Sequence, residues 1–207
     1  IDAMVVTHIT NKMVADCEVF APSEMCRNLK RIFEGETVLV AHNARFDAEM
    51  IGHEGVVVKE MIDTFKLSHA LDPEGVIPRH NLQYLRYYHD LEVGEVVAHD
   101  ALGDVRVLEK LFDFYFTKML VVYGSEEVVL REMLDISARP VLMKKFTFGK
   151  YNGMDVKQVA MEDAGYLLWL FNQKVMTREQ GGEDDENWIY TLDFYLNPKK
   201  EEATEGV

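Results

Sequence analysis

The most constraining feature of this chain is the run at residues 37–41, Thr-Val-Leu-Val-Ala, followed directly by His42 and Asn43. The run is short, β-branched and apolar throughout, with no polar residue at every second position. That pattern suits a strand covered on both faces, the usual condition of parallel sheets in α/β proteins. Asn43 then stands where a helix N-cap belongs, with Ala44 to about His53 as the helix and Gly55 as its stop. Residues 56–62 read as a second short strand and 63–71 as another helix. An Asp just after a strand is a natural helix cap, so Asp63 is expected to cap the helix it opens.

The rest of the pattern is mainly helical. Thr10 is expected to cap a short helix over residues 11–16. Residues 23–33 follow Pro22 as an amphipathic helix with Met25, Leu29, Ile32 and Phe33 on one face. A helix at 80–88 is followed by a long one from about Asp100 to Val122, whose stripe would be Val105, Leu108, Leu111, Phe112 and Tyr115. Ser125, with Glu126 and Glu127, opens the next helix. After Arg139-Pro140 the texture shifts to lysines among aromatics and glycines, then to helices near 163–173 and 186–196 around an acidic loop. A domain boundary is expected near 136–141, and the charged tail from Asn197 is expected to be disordered.

Charge narrows the function. Lys and Arg number 22 against 36 Asp and Glu, a formal net charge of −14. No broad basic surface is available to hold phosphate backbones, so any nucleic-acid contact must be local and helped by cations. No segment reaches the roughly 18 apolar residues of a membrane helix. Two cysteines, Cys17 and Cys26, fit a reduced, cytoplasmic protein.

Two segments bear chemistry. His42-Asn-Ala-Arg-Phe-Asp47 sits at a strand-to-helix junction, where α/β active sites lie. His99-Asp-Ala-Leu-Gly-Asp104 opens the long helix. Five residues within a helix turn about 140°, so His99 and Asp104 converge only if His99 precedes the helix and Asp104 lies inside it. Asp104 would then head the buried stripe, where a carboxylate must be paired, hydrogen-bonded or metal-bound.

These strings, with Ile-Asp-Thr at 62–64 and Leu-Gln-Tyr-Leu at 82–85, resemble the second and third motifs of the DEDDh 3′–5′ exonucleases, relatives of the proofreading exonucleases with a ribonuclease-H-like fold. Thr-His-Ile-Thr-x-x-Met-Val at 7–14 is similar to the segment that follows the family's first motif. The likeness spans about residues 4–120 and is strongest to the exonuclease X-like branch. Lys145–Gly153 and Gly165–Leu170 are similar to the small C-terminal domain attached to such enzymes.

The resemblance implies an α/β ribonuclease-H-like exonuclease core with a mixed sheet over residues 1–123, a linker helix over 124–140, a small α+β domain over 141–197 and a tail over 198–207. It implies two divalent metal ions, Mg²⁺ or Mn²⁺, held by four carboxylates of which Asp47 and Asp104 are two, with His99 as general base. Asn43 and Phe46 would orient the site or touch the terminal nucleotide. The implied substrate is the 3′ end of DNA, single-stranded or frayed, in repair or proofreading, with RNA as an alternative and a polymerase or repair protein as partner.

The family's first motif, Asp-x-Glu on the central strand, has no match ahead of the matched segment. Asp16-Cys-Glu18 spells it but follows that segment and has no apolar strand to sit on. The chain begins at Ile1, and the expectation is of a truncated exonuclease that lacks the full two-metal site as it stands. A competing reading is therefore a degenerate exonuclease fold that binds nucleic acid or a protein. Lys144, Lys145, Lys150 and Tyr151 suit either a single-strand contact or a lysine-guarded hairpin edge. His8, His53, His69, His80 and His89 read as structural or surface residues, Tyr84, Tyr87 and Tyr88 as packing, and Trp169 as core.

Overall fold

The computed structural model describes Met4 and residues 9–94, 101–182 and 184–197. His99, and the tail from residue 198, lie outside the described residues. Strands β1 (Val38–Ala41) and β2 (Glu60–Asp63) pair in parallel, with Val38 opposite Glu60 and Ala41 opposite Asp63. Among the described residues this pair is the whole sheet. The order of helices is α1 (Asn11–Val14), α2 (Glu24–Glu34), α3 (Ala44–His53), α4 (Thr64–Ala70), α5 (Leu82–Tyr88), α6 (Ala101–Tyr123), α7 (Glu126–Ser137), α8 (Val156–Glu162), α9 (Ala164–Glu179) and α10 (Glu186–Leu196). The architecture is α/β, helix-rich around a small parallel sheet. β1, α3 and β2 form the parallel crossover that a continuous apolar strand implies.

Two hydrophobic clusters hold the chain. The first joins Ile62, Leu67, Leu85, Leu111, Tyr115, Met119, Val129 and Met133. The second joins Met143, Phe146, Val156, Val159, Leu167, Leu170, Trp188 and Leu192, with Phe65 from α4 packed against it. Helix α7 supplies Val129 and Met133 to the first cluster.

Several local expectations need correction. The buried stripe of α6 is Gly103, Val107, Leu111, Tyr115 and Met119, a strict four-residue spacing. Val105 is exposed, because a stripe drawn through it turns away from the face that meets α5 and α7. On α2 the buried residues are Cys26 and Phe33, while Met25 and Ile32 face outward. Trp169 is 55% exposed: the inward face of α9 carries Leu167 and Leu170, and Trp169 lies against Tyr166. Tyr87 is exposed, and Tyr84 stacks on Tyr88. Strand β2 begins at Glu60, not at residue 56. Helix α8 was not expected. It is capped by Asp155, whose carboxylate accepts from the amides of Lys157 and Gln158.

Caps also divide. Asp63 caps α4 as expected. Thr10 and Ser125 occupy N-cap positions with no side-chain cap bond. Asn43 precedes α3 but sits at φ 69°, ψ 53°, left-handed, where its side chain makes no cap bond. A capping side chain needs extended backbone, and Asn is among the few residues that tolerate the left-handed well.

Candidate active site

The ends of β1 and β2 bring their following residues together. Asp63, at the end of β2, is 2% exposed. Its Oδ1 accepts from the Asn43 amide at 2.9 Å and from the Phe65 amide at 2.9 Å. One carboxylate oxygen therefore caps α4 and holds the left-handed turn that starts α3. The Asp63 amide in turn donates to Ser137 Oγ at 2.8 Å.

Asp47 lies in the first turn of α3, where the helix dipole favours an acid. Partial burial pushes its carboxyl above the ordinary range, and the negative charge of Asp63 adds to that push. Phe46 beside it is 61% exposed. Asp104 is half-buried in the first turn of α6 and accepts a hydrogen bond from the Gln83 side-chain amide. Neither Asp47 nor Asp104 has a Lys, Arg or His partner among the described ion pairs.

Hard cations take carboxylate oxygens, and two carboxylates unneutralised by protein cations are donors of the right chemistry for a divalent metal. Among the described residues, however, no group of three or more His, Cys, Asp or Glu side chains stands close enough to hold one. Asp16 lies in an exposed turn after α1 and exposed Glu18 in irregular chain, and neither is part of a strand.

A cleft of about 1070 Å³ opens beside this junction, between the two hydrophobic clusters. Asn43 and Phe46 line it, together with Asp63, Phe65, His69 and His80 from the first part and residues 143–147 and 184–188 from the second. Asp47, Asp104, Lys150 and Tyr151 are not among its lining residues. Lys150 and Tyr151 both reach Asp163 Oδ2, at 3.2 and 2.6 Å, and the Lys150 ammonium sits 4.6 Å above the Tyr151 ring.

Sequence reasoning passed over several groups here. His42 Nε2–H donates to the His80 carbonyl at 2.7 Å, leaving Nδ1 to accept from the Thr64 hydroxyl at 2.9 Å. His69 stacks on His80 at 3.7 Å between ring centres and makes no hydrogen bond through either ring nitrogen. Burial, with His80, His42 and Lys144 nearby, brings His69 down to about 3; burial brings His80 down to about 4. Arg45 reaches Glu49 and Asp184, each at 2.8 Å. Buried Lys66 donates to the Ser137 carbonyl at 3.0 Å and pairs with Glu186. Histidines 38 and 27 residues from their neighbours in the cluster carry no spacing signal; only His42, fixed at the strand end, was open to inference.

The sequence family described as Exonuclease matches residues 1–112, and the family described as Exodeoxyribonuclease X-like C-terminal matches residues 146–175. The chain belongs to the exonuclease family. Within it, the chain is 33% identical over 172 residues to Exodeoxyribonuclease 10 of Escherichia coli (strain K12), covering 82% of this chain and 70% of that one. It is 33% identical over 117 residues to DNA polymerase III subunit epsilon of Treponema pallidum (strain Nichols), covering 54% and 52%. A solved structure, Exonuclease X in complex with 5′ overhanging duplex DNA, aligns with a TM-score of 0.45 and 26% identity, covering 66% of this chain and 72% of that one. Divalent metal ions are general to the family. Among the described residues no helix is long and apolar enough to cross a membrane.

Proposed function

We propose that this chain is a metal-dependent 3′–5′ exodeoxyribonuclease that removes nucleotides from single-stranded or frayed 3′ ends in DNA repair or proofreading. The observation that carries the reading is the junction itself. Strand β1 delivers Asn43, Phe46 and Asp47 to one place, Asp63 pins the turn from below, and Asp47 is left without a cation. The identity with Exodeoxyribonuclease 10 supports the choice of DNA.

Asp47 and Asp104 would hold Mg²⁺ or Mn²⁺ as two of the site's carboxylates. When bound, such cations supply an activated water and neutralise charge at the scissile phosphate. His99, just ahead of α6, would take the water's proton on its imidazole, which an ordinary histidine pKa near 6.5 allows at neutral pH. Exposed Phe46 offers a face on which the terminal base stacks, worth about 1–3 kcal/mol, and Asn43 presents its free side-chain amide beside it.

A division near residues 136–141, with an exonuclease part over 1–123, a connecting helix over 124–140 and a C-terminal part over 141–197, is supported by the two separate clusters. Two free thiols agree with a cytoplasmic protein, and the likeness to a polymerase subunit supports a polymerase or repair partner.

The test is shortening of 5′-labelled single-stranded DNA from its 3′ end in Mg²⁺, beside RNA of the same sequence. Asp104→Asn should lower kcat roughly a hundredfold, about 2.7 kcal/mol of barrier. Calorimetric Mn²⁺ binding should weaken in both Asp47→Ala and Asp104→Ala; binding indifferent to both ends the catalytic reading. The second reading, a catalytically incomplete module that binds nucleic acid or a protein, is favoured by the lack of a three-ligand group among the described residues. Binding of DNA with no shortening selects it.

A further inference from the structure

The cleft between the two clusters has an uneven charge pattern. Each of its carboxylates has a partner for at least one oxygen: Glu49 and Asp184 Oδ2 with Arg45, Glu186 with Lys66, Asp185 with Lys174, and Asp63 with two backbone amides, while the buried Asp184 Oδ1 makes no hydrogen bond. Three cations on its wall, Arg79, Lys144 and Lys145, have no carboxylate partner among the described ion pairs. In a chain of net charge −14, unpaired basic residues gathered at one concavity mark a local anion site.

A second observation lies in the same wall. His69 is 7% exposed, lines the cleft, and has no hydrogen-bond partner for either ring nitrogen. Buried polar groups are seldom left so, and each such group asks for an explanation. At about 1070 Å³ the cleft stands at the top of the range of small-molecule sites, about 300–1,000 Å³, and has room for more than one phosphate group. A polymeric anion suits it better than a single small one. The cleft also begins at Asn43 and Phe46, immediately before Asp47 on α3, so a strand whose end lies at the site can continue into it.

We infer that this cleft is a strand-holding channel: Arg79, Lys144 and Lys145 contact the phosphates of the single strand several nucleotides inward from its 3′ end. The inference rests on the nuclease reading for its substrate, but its contacts are binding contacts and require no hydrolysis. The three residues are positioning residues. They set how tightly a long strand is held, while a strand too short to leave the reacting end never meets them.

The experiment is equilibrium fluorescence anisotropy in EDTA, with oligothymidylates of about four and about 12 nucleotides, across a salt series. Each single-strand phosphate contact contributes about 0.7 to the slope of log affinity against log salt. The variant Arg79→Gln/Lys144→Gln/Lys145→Gln should therefore lose about 2 from that slope with the longer oligonucleotide. Its affinity for the longer oligonucleotide should fall at least about tenfold at low salt, with the shorter one unchanged. Arg131→Gln, on α7 away from the cleft and paired with Glu127, should behave as wild type, and far-ultraviolet circular dichroism checks that the triple variant is folded. An unchanged slope, equal losses with both lengths, or an effect of Arg131→Gln as large as that of the triple variant would overturn the channel. Failure of the nuclease reading is seen separately, as absence of shortening in Mg²⁺ by a chain whose salt slope still responds.

Discussion

Asp63 is the residue whose removal should do most damage for its size. It is 2% exposed, and one oxygen serves two amides on different elements. Replacing it by Ala deletes the cap of α4, about 1 kcal/mol. It also deletes a charge-assisted bond to the Asn43 amide, about 1.5–3 kcal/mol. The sum is about 3 kcal/mol, a large part of the stability of an ordinary domain. Asp63→Asn keeps an acceptor oxygen in the same place and should lose about 1 kcal/mol. Because the Asp63 charge raises the Asp47 carboxyl, the Asn variant should also bring Asp47 back toward the ordinary carboxylate range. Urea unfolding at pH 7, with the slope held common, reads the stabilities. A loss below about 1 kcal/mol for Asp63→Ala, or equal losses for the two variants, would refute the account of one oxygen holding both turns.

Three further outcomes are expected. Leu111→Ala, at a fully buried position on the stripe of α6, should cost about 2–5 kcal/mol in urea unfolding. Tyr115→Phe removes a buried hydroxyl whose polar neighbour, the Ser68 hydroxyl, already bonds the Phe65 carbonyl, so thermal unfolding should show it within about 1 kcal/mol of wild type. His69 and His80 titrate near 3 and 4 in the folded chain and near 6.5 when unfolded. Below pH 6.5 the unfolded state binds the extra protons, so stability falls from there toward pH 4, by up to about 1.4 kcal/mol per pH unit for each histidine. His69→Phe should remove one histidine's share of that slope, measured as unfolding free energy between pH 7 and pH 4.5.

What the sequence made legible was set by short-range physics. The run at 37–41 announced a strand because its apolar residues are continuous, and β1 with α3 lies where that run and Asn43 put it, although in β1 only Ala41 is buried and Val38, Leu39 and Val40 are half-buried. Asp63 was readable as a cap because a cap is a local matter between a side chain and the next two amides. Its second bond, to Asn43 twenty residues back, was not readable, since nothing local records which turn the parallel pairing brings beside it. The stripe of α6 was misdrawn by one residue in its first turn for a related reason. Val105 and Gly103 differ in hydrophobicity in the wrong sense, and only the packing of α5 and α7 decides that glycine faces inward. Trp169 was lost similarly, as α9 is apolar on more than one side. Asn43, Phe46 and Asp47 stand at one helix start and could be read together from one string, whereas the histidine cluster and the unpaired cations come from four separated segments.

Arg45 precedes Asp47 by two residues on α3, and its guanidinium reaches Asp184, ahead of α10; from α4, Lys66 pairs with Glu186. The C-terminal portion is thereby a brace on the very helix that presents the acidic group, fastened by charge from the opposite bank. A chain built this way ties α3 to whether its far end is folded, so the C-terminal extension is no passenger but part of the frame around the strand-to-helix junction.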